Sequence, residues 1–105
     1  MSILPNRYST AIDSDMDLTA LAVKTSAGLF CGGAFYNKDA AVVYLQVYDD
    51  TTIVATFPIP PGELHIIEID GGIPVQTALN IQGSTAFAGT GAPGAGDLTG
   101  TVFYL

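Results

Sequence analysis

Apolar and polar side chains alternate at every second position along much of this chain, and that period predicts strands. It is clearest over residues 41–48, where Val43, Leu45 and Val47 fall on one face and Val42, Tyr44, Gln46 and Tyr48 on the other. The same reading predicts strands over 20–25, 29–36, 53–57, 63–70, 75–81 and 99–105. Within 29–36, Leu29, Cys31 and Phe35 share a face, and Gly32 and Gly33 mark a bulge or a close approach of backbones. Within 63–70, Ile67 and Ile69 face one way and Leu64 and Ile66 the other. Val75, Leu79 and Ile81 share a face in the next segment.

Turn residues punctuate these runs. Ser26-Ala27-Gly28, Asn37-Lys38-Asp39 and Asp49-Asp50-Thr51-Thr52 reverse the chain, while Pro58, Pro60, Pro61 and Gly62, and then Gly71-Gly72-Ile73-Pro74, break it. The Gly- and Ala-rich stretch 83–97 reads as a loop. No window sustains the i, i+3, i+4, i+7 spacing of an amphipathic helix with caps. Short strands at a spacing of roughly 8–12 residues predict an all-β fold, an antiparallel β-sandwich of jelly-roll or Greek-key kind, with a small barrel as the neighbouring solution. Residues 1–19 show neither period and read as an extended N-terminal arm, leaving 20–105 as the sandwich domain. Such an arm should serve attachment more than folding.

Composition narrows the function. The 105 residues suffice for one domain, with 49% hydrophobic and only 12% charged residues, against about 25% charged in an average globular domain. A surface so poor in charge is in part weakly polar or covered by a partner. The net charge of −7 leaves Arg7, Lys24 and Lys38 as the fixed cations. Three scattered cations make no basic track for phosphates and no patch for anionic lipid, so the expectation is neither nucleic acid nor membrane. The start Met1-Ser2-Ile3-Leu4-Pro5 lacks the basic and apolar regions of a secretion signal. Synthesis in a cytoplasm is expected.

Candidate chemistry is sparse. Gly89-Thr90-Gly91-Ala92-Pro93-Gly94 matches a dinucleotide-loop pattern, but Pro93 and Gly96 oppose the helix that such a loop needs. Asp13, Asp15 and Asp17 alternate like the opening of a calcium-binding loop. Position six, however, is Leu18 rather than Gly, and position twelve is Lys24 rather than Glu. Whether the three aspartates hold calcium in another way stays open. His65 is the single histidine and Cys31 the single cysteine, too few for a zinc site and a thin basis for a nucleophile–base pair. Cys31 reads as a small buried apolar residue. The expectation is no catalytic residue, no metal and no cofactor. Partner contact is expected instead from Ile3, Leu4, Tyr8 and Ile12 in the arm and from Tyr36, Tyr44 and Tyr48 on strands, tyrosine being enriched at interfaces. The same strand tyrosines could form a glycan platform, without help from tryptophan.

Several segments taken together carry a resemblance. These are Val23-Lys24 with Gly28, Gly32 and Asn37; Tyr44-Leu45 with Tyr48-Asp49; Ile59-Pro60-Pro61-Gly62; and Thr99-Gly100-Thr101 before Phe103-Tyr104. Over about 23–105 the chain resembles a group of small β-sandwich proteins encoded among the virion structural genes of tailed bacteriophages. The segments 1–19 and 83–97 depart from that group. The resemblance implies a capsid decoration (cement) protein on the virion surface, with the major capsid protein and further copies of itself as partners, a trimer being favoured. A tail, neck or head-fibre component is the nearest variant.

Overall fold

Eight strands build the chain: β1 Ser9–Asp13, β2 Leu21–Lys24, β3 Gly28–Asn37, β4 Val43–Asp49, β5 Thr52–Ile59, β6 Leu64–Val75, β7 Leu79–Ser84 and β8 Leu98–Tyr104. The computed structural model describes residues 9–88 and 91–105. Helix is absent among them, as the alternation requires. Two four-stranded antiparallel sheets form, a first in the order β1-β8-β3-β6 and a second in the order β2-β7-β4-β5. The pairings are nested. β4 with β5 forms the innermost hairpin, and β3 with β6, β2 with β7 and β1 with β8 close around it on alternate sheets. That is the jelly roll, one long hairpin rolled into a sandwich.

The two inner faces supply the core. Phe30 and Phe35 from β3, Val43, Leu45 and Val47 from β4, Ile59, Val75, Leu79, Ile81, Leu98 and Val102 are all buried. Phe30 meets Phe57 across the sandwich with ring centroids 5.9 Å apart. The alternation of β4 holds as expected, and so does the inward set Ile67 and Ile69 against the outward pair Leu64 and Ile66.

In four places the structure departs from simple alternation. Residues 9–13 are not a free arm: β1 pairs with β8 from Ser9–Tyr104 to Asp13–Gly100. Beyond it Met16 is 1% exposed in the core, with its N–H donating to the Leu98 carbonyl at 2.8 Å. The folded unit therefore begins well before residue 20. Second, Phe30 rather than Leu29 or Cys31 joins Phe35 in the core. A bulge at Cys31 and Gly32 lets Phe30 pair with Tyr104 and Gly32 with Phe103, which switches the parity of the strand. Gly32 has φ 110°, and a side chain there would run into the Ile67 carbonyl.

Third, Gly71-Gly72-Ile73-Pro74 does not end a strand. It lies within β6, where residues 69–72 face the single residue Cys31 between the Phe30–Ile73 and Gly32–Glu68 pairs. Gly71 and Gly72 take left-handed φ values of 80° and 75° to make this excursion. Fourth, Val75 and Ile81 share the core but not a strand. The chain leaves the first sheet after Val75 and enters the second at Leu79.

Candidate interaction face

Side chains of directly paired residues point to the same side of a sheet, so the register fixes what each outer face presents. On the outer face of the first sheet, Leu64, Tyr36 and Thr99 form one row across β6, β3 and β8. Ile66, Ala34, Thr101 and Ile12 form the next and reach β1. Neither row contains a charge. Ile12 is 76%, Leu64 63%, Ile66 62% and Tyr36 42% exposed. Four large apolar side chains thus stand in water on two adjacent rows, and Glu68, in the row beyond, marks the margin.

The outer face of the second sheet is built differently. Gln46 lies on it and is nevertheless 1% exposed, because the segment following β7 folds over it. The Gln46 Nε2 donates to the carbonyls of Ala86 and Phe87 at 3.4 and 3.5 Å, and the Tyr48 hydroxyl donates to Gln46 Oε1 at 3.1 Å. Phe87 stands edge-on against Tyr44, with ring centroids 5.6 Å apart. Ser84 Oγ secures the segment by accepting from the N–H groups of Ala86 and Gly91 at 3.0 and 3.1 Å. A shallow hollow of about 310 Å³ remains beside this cover, lined by Ala20, Tyr48, Asp50, Thr51, Asn80 and Gln82. Its amides are tied back, Asn80 to the Asp50 carbonyl at 2.9 Å and Gln82 to the Leu18 carbonyl.

The expected contact residues therefore separate. Ile12 and Tyr36 meet on the bare face, whereas Tyr44 and Tyr48 belong to the covered one. Ile3, Leu4 and Tyr8 lie outside the described residues. Leu64 and Ile66 complete the bare face, although only their outward orientation was legible in the sequence. The usable signal was two branched apolar residues at consecutive outward positions of a strand, where one solvated face normally carries polar groups.

The acidic alternation does not converge. Asp13 Oδ1 accepts from the Asp15 N–H at 2.9 Å, Asp17 Oδ1 from Thr19 at 2.7 Å, and Asp15 Oδ1 from Gly96 at 2.8 Å. Each carboxylate holds a turn, and no group of three potential metal ligands occurs among the described residues. His65 pairs with Phe35 at the end of β6 that begins with Leu64. Cys31 is buried, and that burial pushes its thiol above the usual range, away from the reactive thiolate. No known family, curated protein or solved structure matches this chain.

Proposed function

We propose that this protein is a structural component of a bacteriophage virion, a decoration (cement) protein that docks on the major capsid protein of the outer shell through the first sheet's outer face. The observation that carries this reading is the pair of uncharged rows containing Ile12, Ala34, Tyr36, Leu64, Ile66, Thr99 and Thr101. Burying one large apolar side chain contributes about 1.5–3 kcal/mol, so four side chains supply a substantial docking energy without any charge pair. The acidity of the chain, −7 overall, keeps the unbound protein soluble despite the bare face.

The jelly roll recurs in viral shell proteins, but also in lectins and cupins, so the fold alone does not choose among them. The bare face favours assembly. A glycan-binding reading has one ring, Tyr48, in a shallow hollow, and Tyr44 lies under Phe87. A tail or neck position would use the same face on a different partner.

Co-sedimentation with assembled shells of the virion that carries this protein tests the reading. Replacing Leu64→Lys and Ile66→Lys together should weaken shell binding about a hundredfold while leaving the melting transition in place. Unchanged occupancy of the shell by the double variant would overturn the proposal. So would density for this chain elsewhere in the virion and none on the shell.

A further inference from the structure

Four strands form the edges of the two sheets, and three of them are protected against pairing with another chain. Among the described residues β1 has five residues and ends at Asp13, and β2 has four, with Lys24 and a register shift. β6 is long, but it carries Glu68, Asp70, the Gly71-Gly72 excursion and Pro74. Shortness, charge, bulges and proline are the means by which soluble proteins blunt sheet edges. β5 is the exception. It runs eight residues as Thr-Ile-Val-Ala-Thr-Phe-Pro-Ile without a charge, with Ile53 39% and Val54 42% exposed. Its single neighbour among the described strands is β4, and its only interruptions are a bulge opposite Val47 and Tyr48 and the late Pro58.

We infer that β5 is a self-association edge, pairing antiparallel with β5 of a second copy to join two second sheets into one continuous eight-stranded sheet. Charge selects the occupant. Two chains of −7 each repel, and an uncharged strand is where their backbones approach with least opposition. Antiparallel pairing about the middle of β5 sets the Asp50 turn of one copy beside Pro58 to Pro60 of the other, so the like charges at the turns stay apart. The backbone groups on the open side of β5 then find the partners that a sheet edge lacks.

The pairing is twofold and isologous, so it closes at a dimer instead of growing into a fibre. This is a dimer where the sequence favoured a trimer. The twofold axis stands perpendicular to the joined sheet, which turns the outer faces of both first sheets toward the same side. A dimer would therefore present two docking faces to one surface, and the second contact would form at high effective concentration. The pairing itself does not rest on the shell-docking reading.

Sedimentation equilibrium across a wide range of protein concentration tests it, together with hydrogen exchange on the unaltered chain. The expected result is a concentration-dependent dimer that tightens with added salt, as screening of the −7 charges requires. The amides of Val54 and Thr56 should gain protection as the dimer fills. Thr56→Lys should raise the dissociation constant roughly tenfold or more, while Leu64→Lys, on the other face, should leave it unchanged. A monomer at every concentration overturns the inference, as does a dimer that survives Thr56→Lys or dissolves with Leu64→Lys. If Thr56→Lys fails to fold, the exchange data decide, since unprotected β5 amides in a dimer place the contact elsewhere. Protection of β5 only on adding shells would assign the edge to the shell protein and equally overturn self-pairing.

Discussion

Asn37 is fully buried at the end of β3, and every polar atom of its side chain is engaged. Nδ2 donates to the carbonyls of Ala41 and Ile59, both at 2.9 Å, and Oδ1 accepts from the Asp39 N–H at 2.8 Å. The sequence places Asn37 correctly in a turn, but its burial depends on Ile59, which only the folded sandwich brings near. Cys31 was legible as a buried apolar residue because nothing beyond its own strand had to be known. Asp49 is a second clamp that local pattern does not reveal. Its carboxylate accepts from the N–H groups of Gln76 and Thr77 at 2.9 Å and of Ala78 at 3.3 Å, holding the crossing from β6 to β7 against β4. Those hydrogen bonds hold its pKa below the ordinary carboxylate value. A carboxyl depressed in the folded state adds stability above its unfolded pKa, about 3.9, and loses that contribution as pH falls through the lower folded value. Asp49→Asn should therefore melt below the native chain near neutrality, and the two curves should converge in strong acid. Thermal melts from about pH 7 down to about pH 2 check this; a constant gap would show that charge is not what Asp49 contributes.

At the scale of elements, legibility followed regularity. β4 has no internal irregularity on its β7 side, and its inward residues Val43, Leu45 and Val47 read directly from the sequence. β3 and β6 each contain extra residues, and a strict period of two misassigns a face after the first of them. Gly32 and Gly33 signalled the bulge in β3 without showing which residues it would turn inward. β1 was missed for another reason. Its apolar Ile12 points outward to the bare face while Thr10 is exposed beside it, so the strand looks inverted to a reader expecting apolar residues inside. The same inversion hid part of the candidate site. With β1 in the sheet and Met16 in the core, deleting residues 1–19 should destabilise the fold itself and not only attachment. Loss of a large buried side chain such as Met16 alone costs about 2–5 kcal/mol. Thermal melts of the deletion and of Met16→Ala measure the effect, and a deletion that melts with the full chain would return these residues to the status of an arm.

For the whole molecule, the alternation predicted a sandwich and left its closure undetermined. The β4–β5 hairpin was visible because Asp49-Asp50-Thr51-Thr52 lies between two adjacent runs. The nesting of β1 with β8 was not, since no local feature says that Ser9 will face Tyr104. Yet this outermost pairing governs how the chain folds. β8 sits between β1 and β3 in the middle of the first sheet, and Val102 from it is fully buried. The first sheet therefore cannot form until the final residues are present. The loop-closure entropy of nearly the whole chain must be met before that sheet gains its contacts. Refolding of the intact protein should accordingly be slow for its size, in the millisecond-to-second range of β-sandwiches, as stopped-flow tyrosine fluorescence would show. Deleting residues 101–105 removes most of β8, strips β1 of its only partner among the described strands and opens the core at Val102. That truncation should lose the cooperative melt altogether. A truncated chain that still melts in one sharp transition would mean that the second sheet and β3–β6 fold without closure by β8, and the bare face on the first sheet would then have to assemble after the core rather than with it.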